Sequence, residues 1–364
     1  MISSPTSTRV HRWLTALILT GATTFLASCG GGDLEYDDAG RPVVELQMDW
    51  FAQPEHGGFY HAVANGLYEE AGLTVNIAQG IQNTSPLQLV VSGRKHFSIG
   101  SSDAVLQAIA EDLPIVIVGA QMQHDPQGIM VHAESGVETF KDLDGKTIMA
   151  GGGAPFLDAM KTAYGIDFNT VLLDGGMARF LEDKDFVQQC FITSEPYYVA
   201  LNGANPKVLW LAEIDGYDPY RVIYTHREFA AEHPEVVRSF MEATIRGWRE
   251  YLAGDREQAE QLIATENTKM ADPEYRTFAY SKMREYQIVE GFAERGEDIG
   301  VLKPERIQRN IDRLLQSDLL ARKLTVAEVM TTEFLPESTR LLSEAGSGTA
   351  ISPATGSDES SYAY

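Results

Sequence analysis

Apolar residues recur along this chain with two periods, and the alternation between them lays out strands and helices in turn. Val43-Val44-Glu45-Leu46-Gln47-Met48 reads as a short strand ending at Asp49-Trp50. From Gly58 to Ala71 the apolar positions Phe59, Val63 and Leu67 fall at helical spacing, and Gly72 is placed to stop that helix. Leu73 to Ile77 is the next strand, and Thr84 to Val91 is a helix with Pro86 tolerated in its first turn. Phe97 to Gly100 is a strand running into Ser101-Ser102-Asp103, and a helix follows to Glu111. Ile115 to Gly119 is apolar throughout, as a strand covered on both faces requires. Such close alternation predicts an α/β lobe with a largely parallel sheet.

The pattern starts afresh at Gly128. Strands are predicted at Gly128 to His132, Lys146 to Ala150, Thr170 to Leu173, Val187 to Ile192 and Val208 to Leu211. A helical turn at Phe140 to Leu143 and a helix at Phe156 to Tyr164 lie between them. This gives a second α/β lobe over residues 128–220. Arg221 to Thr225 reads as a strand returning to the first lobe, which then comprises 43–127 and 221–338. Beyond Pro234 helices are predicted at 235–253, 255–265, 273–287 and 304–316. Residues 339–364, rich in Ser, Gly, Thr and Ala, are expected to form a disordered tail.

The first residues change the picture by setting the compartment. Arg9 and Arg12 precede an apolar stretch from Trp13 to Leu26, too short and too rich in small residues for a permanent span. Leu26-Ala27-Ser28-Cys29 follows, then Gly30-Gly31-Gly32. This is the pattern of a bacterial lipoprotein signal over 1–28, with Cys29 as the lipidated residue and 29–42 as a flexible tether. An ordinary signal peptide with a chance cysteine is the plainer alternative. Either way the mature chain works outside the cytoplasm, in the periplasm or at the cell surface. Charge narrows the partners. There are 29 Lys and Arg against 52 Asp and Glu, a formal net charge of -23, which argues against nucleic acid. If Cys29 carries lipid, Cys190 has no partner, and a small buried apolar role suits it.

Several segments resemble one family. Asp49-Trp50-Phe51-Ala52-Gln53-Pro54-Glu55-His56-Gly57-Gly58-Phe59-Tyr60, then Ala64-Asn65-Gly66-Leu67-Tyr68-Glu69-Glu70-Ala71-Gly72-Leu73, is similar to the opening of the thiamine-pyrimidine family. That family joins periplasmic solute-binding proteins of ABC importers to a fungal thiamine-pyrimidine synthase. Lys141-Asp142-Leu143-Asp144-Gly145-Lys146-Thr147-Ile148 resembles a segment common to the wider group, which includes sulfonate and nitrate binders. Thr193-Ser194-Glu195-Pro196-Tyr197 resembles a stretch of the bacterial members. The likeness runs over about residues 43–265. It implies an α/β, two-lobed periplasmic binding protein fold (type II) with a helical C-terminal segment, working as a monomer beside an ABC permease.

Ligands in such lobes sit beyond the carboxyl ends of strands. That rule selects the loops after Met48, Ile99, Ala150 and Ile192. Trp50 offers a ring face and Asp49 an acceptor for an amine. His56 and Tyr60 flank Gly57-Gly58, where Gly58 allows close backbone approach. Ser101, Ser102 and Asp103 open a helix, either as plain caps or as ligand contacts. Gly152 and Gly153 sit in a glycine run that could cradle a carbonyl. Glu195 ends a strand before proline, so its carboxylate should face the cleft and pair with a ring nitrogen and an exocyclic amine, with Tyr197 stacking beside it. These loops offer Asp49, Glu55, Asp103, Asp125 and Glu195 and almost no Arg or Lys. A sulfonate or nitrate would be repelled, and a flat, neutral or cationic nitrogen heterocycle suits them.

Catalysis is the other class to weigh. The family's synthase carries a lysine that can hold pyridoxal phosphate and a histidine four residues later. The resemblance puts Gly100 and Ala104 at those places, and neither forms an imine or moves a proton. Glu55, His56, His61 and His124 match no helix-based metal motif. The expectation is therefore a lipid-anchored receptor with no cofactor and no metal, delivering a thiamine pyrimidine precursor or a similar heterocycle to its permease. A synthase-like enzyme and a sulfonate, nitrate or taurine receptor stand as the alternatives.

Overall fold

A computed structural model describes residues 34–80 and 84–345. Cys29, the expected signal peptide and most of the expected tail lie outside these residues. Eleven strands form two sheets. The first joins β1 (Glu35–Tyr36), β2 (Pro42–Gln47), β3 (Thr74–Ala78), β4 (Phe97–Ser101), β5 (Ile115–Met122) and the late strand β11 (Arg221–His226). The second joins β6 (Gln127–His132), β7 (Thr147–Ala150), β8 (Asn169–Leu172), β9 (Val187–Phe191) and β10 (Pro206–Trp210). In the first sheet β3, β2 and β4 run parallel, while β11 returns antiparallel between β4 and β5. In the second, β8, β7 and β9 are parallel, and β6 and β10 complete it antiparallel.

Alternation along each strand explains why both faces are covered. On β5, Val116 and Val118 enter one apolar cluster and Ile115 and Ile117 the other; irregular pairing with β11 then shifts the register, so Ala120 joins the second cluster and Met122 the first. On β6, Ile129 and Val131 face one cluster and Met130 the other. Period-two placement with helices on both sides is what an apolar strand run needs. The helices that matter here are α1 (Gly57–Ala64), α2 (Ser102–Ala110), α3 (Pro155–Tyr164), α4 (Glu195–Leu201), α5 (Pro234–Leu252), α6 (Pro273–Glu285), α7 (Pro304–Gln316) and α8 (Glu337–Glu344). None of the described helices is long and apolar enough to cross a membrane.

The structure differs from expectation in three local respects. The helix expected to run to Ala71 stops at Ala64, because Gly66 takes a left-handed φ of 71° and a short turn, Leu67–Glu70, follows. Residues 34–42 are not free tether, since Glu35 and Tyr36 pair with Val43 and Pro42. Residues 339–345 are not disordered: α8 buries Thr339 and Ser343, and the Ser343 hydroxyl accepts the Leu302 N–H at 3.1 Å. The residues that tie α8 down are separated from its partners by some forty positions, so composition alone concealed them.

The lobes are joined by two crossovers, residues 123–126 and 211–220. One face of α7 grips both. Arg306 donates to the Gln123 carbonyl, to Pro219 O at 3.2 Å and to Asp218 O at 2.9 Å. Its guanidinium also lies 3.7 Å from the Tyr220 ring centre. One turn on, Asn310 donates to Asp218 O at 3.1 Å. Arg313 then pairs with the buried Asp103 at 2.6 Å. A buried, always-charged fork holding several carbonyls is a rigid clasp.

Gly58 belongs to a helix crossing. A Cβ there would collide with the Trp248 indole of α5, and one at Gly57 with the Tyr251 ring. Gly58→Ala is therefore expected to destabilise the fold by about 1–3 kcal/mol through overpacking. Urea denaturation tests this, and a midpoint unchanged from wild type would show that α1 and α5 adjust freely.

Candidate functional site

The loop after β2 is built first. Gln47 turns its amide back to Met48 O at 2.9 Å and Gln79 O at 2.9 Å. Gly80 N–H donates to Trp50 O at 2.8 Å, and a side chain at Gly80 would strike the Asp49 and Trp50 backbone. Gln79 and Asn267 hold the Ala52 N–H and C=O, at 2.9 and 2.8 Å. The loop is thus pinned before the 3₁₀ turn Pro54–His56 leads into α1. It sets Asp49, Trp50, Gln53, Glu55 and His56 on one wall of a cavity of about 220 Å³. Gln121 and Met122 at the end of β5, and Arg221 at the start of β11, extend that wall. The second lobe supplies Leu173, Gln189, Cys190, Phe191, Ser194 and Glu195.

Charge in this cavity is arranged in a chain. Asp49 accepts a contact hydrogen bond from Arg221, whose other nitrogen lies 3.6 Å from Asp125. Burial lowers the Arg221 pKa to about 10, which leaves it charged. One cation is shared by two carboxylates, and Arg221 is closer to Asp49. Burial pushes Asp125 up to about 7, with the charge of Asp103 adding to the rise and hydrogen bonds from Gln127 opposing it. His56 is buried and its pKa falls to about 4, so the ring is neutral. With Nε2 3.3 Å from Asp49, that nitrogen carries the proton and donates, leaving Nδ1 as a bare acceptor.

The two remaining carboxyls face each other's lobes. Glu55 accepts from the Thr193 hydroxyl of the second lobe, and its backbone carbonyl accepts from the Gln121 amide at 3.1 Å. Glu195 accepts the Phe191 N–H at 2.7 Å. Burial raises both pKa values, and for Glu55 the charge of Glu195 adds to the rise. Gln189 accepts from Gly151 N–H at 2.8 Å and donates to Gln127 at 2.7 Å, which steadies the glycine run without exposing it to the cavity. Burial keeps the Cys190 thiol protonated.

Asp49, Trp50, His56 and Glu195 come together in this cavity, with Trp50 half exposed at its rim. Other candidates lie elsewhere. Gly58 is taken up by the crossing with Trp248, and Tyr60 is buried in the first lobe's core. Ser101 caps α2 through Asp103 N at 3.3 Å. Ser102 accepts from Tyr220 N at 3.1 Å, and Asp103 is fully buried against Arg313. All three serve the crossover and its clasp. Gly152 and Gly153 are exposed and line no part of the cavity. Tyr197 donates to Asp272 at 2.7 Å and packs on Phe278 of α6, at the seam between the lobes. Glu195 itself opens α4, with Pro196 in the first turn, and does not end a strand. His56, His61 and His124 sit apart, against Asp49, Glu250 and Glu297.

The cleft is also less uniformly acidic than its loops suggest. Arg221 enters it from a strand, and Asp103 is neutralised by Arg313. A charged residue heading an otherwise apolar strand was the signal for Arg221. Gln121, directly after the apolar run of β5, was the signal for a second polar wall residue.

Comparison with known proteins now places the chain. The profile of the family described as NMT1/THI5 like matches residues 53–259. The chain belongs to the NMT1/THI5-like family. It is 29% identical over 255 residues to the formylaminopyrimidine-binding protein of Halalkalibacterium halodurans, covering 67% of this chain and 76% of that one. It is 23% identical over 249 residues to a 4-amino-5-hydroxymethyl-2-methylpyrimidine phosphate synthase of Legionella pneumophila, covering 66% of this chain and 77% of that one. Among solved structures, the periplasmic aliphatic sulphonate binding protein SsuA from Escherichia coli superposes with a TM-score of 0.61 at 16% identity, over 79% of this chain and 96% of that one. That likeness shows the shared fold: two α/β lobes of the periplasmic binding protein type. NMT1/THI5-like relatives thus include a binding protein and a synthase on related chains.

The Asp49–Arg221–Asp125 chain makes a pH prediction. Asp125 has an ordinary pKa of 3.8 and a folded value of about 7. Between those values the unfolded chain gives up this proton first, so this group's contribution to stability falls as pH rises. Asp125→Asn removes that contribution. Its melting temperature relative to wild type should climb from about pH 4 to 7 and level off above. A pH-independent difference in calorimetry would contradict the assignment.

Proposed function

We propose that this protein is the substrate-binding component of an ABC importer, capturing a small aminopyrimidine-like heterocycle outside the cytoplasm. One observation carries the reading. The Glu195 carboxyl stands in the same cavity as the half-exposed Trp50 ring, among walls rich in hydrogen-bond acceptors. A carboxyl in that position pairs with an amine and the adjacent ring nitrogen at once, while the indole covers the ring face. At about 220 Å³ the cavity is smaller than the roughly 300–1,000 Å³ pockets that take drug-sized ligands, which suits a single substituted ring. The H. halodurans relative, a formylaminopyrimidine-binding protein, agrees in ligand class.

Anion capture fits less well. Arg221 is the one cation among the lining side chains, and Asp49 and Asp125 already engage it. A sulfonate or nitrate would meet three carboxyls and no free positive charge. Catalysis also lacks equipment. Gly100 lies within β4 and Ala104 on α2, and neither lines the cavity. Among the described residues Cys190 is the one free cysteine. Delivery without turnover is what remains.

Two measurements test the reading. Glu195→Ala should weaken binding of a 4-aminopyrimidine by about 1–3 kcal/mol in calorimetric titration. An affinity within twofold of wild type would remove Glu195 from the site. For the tether, Cys29→Ser should move the protein from the membrane fraction to the soluble fraction, and retention in membranes would refute lipid anchoring.

A further inference from the structure

Hydrogen-bond accounting across the cavity leaves three polar atoms over. They are Glu55 Oε2, His56 Nδ1 and Gln121 Oε1, each buried and each without a partner. The residues are 1%, 2% and 1% exposed. They belong to neighbouring residues of one wall: His56 follows Glu55, and the Gln121 amide holds the Glu55 carbonyl at 3.1 Å. Their other polar atoms are engaged. Thr193 donates to Glu55 Oε1, His56 Nε2 faces Asp49, and Gln121 Nε2 donates to Glu55 O. The Tyr251 hydroxyl is also buried without a hydrogen bond, while the Tyr275 hydroxyl lies against Ser194.

His56 Nδ1 and Gln121 Oε1 are acceptors, and Glu55 Oε2 is one when its carboxyl is ionised, the form that burial alone disfavours and a bound cation would favour. Buried acceptors without donors are costly, and a buried carboxylate without a counter-charge more so. A flat ring pairing with Glu195 answers one carboxyl. Glu55, on the opposite lobe, still lacks its complement. The Thr193–Glu55 bond spans the two lobes, so closure itself is what seals this group from water.

We propose that the ligand carries a second donor group, a cationic alkylammonium arm, and that Glu55, His56 and Gln121 receive it. This rests on the aminopyrimidine reading of the same cavity. An ammonium group has three N–H donors and one positive charge, matching three acceptors of which one is a carboxylate. A hydroxymethyl arm offers one donor and no charge. An N-formylated arm offers one N–H and brings a carbonyl oxygen against acceptors. Glu55 is thus the specificity-determining residue for the arm, as Glu195 is for the ring.

Three 4-aminopyrimidines that differ only at the 5-position test this by calorimetric titration: aminomethyl, hydroxymethyl and formamidomethyl. The aminomethyl compound should bind wild type at least tenfold more tightly than the other two. Glu55→Gln keeps the shape and the Thr193 contact, and should erase that preference by bringing the aminomethyl affinity to within about threefold of the hydroxymethyl one measured on the same variant. Thr193→Val, which leaves the carboxylate in place, should retain the ranking and so separates arm recognition from damage to the lobe contact. Equal affinities for the three compounds, or a ranking unchanged in Glu55→Gln, would overturn the arm assignment while leaving the ring reading intact. Binding of none of the three would overturn both.

Discussion

Everything in this cleft depends on the cost of removing carboxyl groups from water. Glu55 on one lobe and Glu195 on the other are desolvated when the lobes meet, and burial raises the pKa of each. Asp49 escapes the same difficulty by pairing with Arg221, while Asp125, 3.6 Å from that guanidinium, is still pushed up to about 7 by burial. An ion pair in such surroundings is a device for specificity more than for stability, because its desolvation offsets much of its attraction. One arginine for four carboxyls is a lopsided arrangement. On the proposed reading, the missing complement arrives with the ligand, and closure is favourable only when it does.

The arrangement needs a rigid frame on which the lobes can move. Arg306 supplies it, reaching the carbonyls of Gln123, Asp218 and Pro219 from a single side chain. Both crossovers are thereby held to α7. Arg221 begins the strand that follows the second crossover, and Asp125 lies in the first. The charge chain that touches the cavity therefore reaches the segments that connect the lobes. Tyr197 and Tyr198 press on Tyr275 and Phe278 at the seam, while Trp50 and Leu173 remain exposed at the mouth.

Much of this architecture was legible in the chain because periodicity is a local property. Alternating positions in β5 and β6 reveal strands with two covered faces whatever else surrounds them. Asp49, Trp50, His56 and Glu195 were legible for a different reason: Asp49 and Trp50 follow a strand end, and His56 and Glu195 stand where a loop opens a helix. Partnership was harder to read. Asp103 resembles a ligand contact until Arg313, 210 residues along the chain, is seen to hold it. Gly58 resembles a close approach to a ligand until Trp248 is found above it. Arg221 hides in a strand, and its neighbours Asp49 and Asp125 are far away in sequence. Distant pairing decides which polar residue is structural and which is left for a ligand, and no single-chain pattern records it.

The account is tested most directly by a crystal structure of the protein carrying the small molecule that accompanies it through gentle purification from its own cells. The account predicts a single flat ring under Trp50, its amine and ring nitrogen on Glu195, and a donor arm directed at Glu55. An oxyanion held by Arg221, with Glu195 and Glu55 untouched by the ligand, would contradict it.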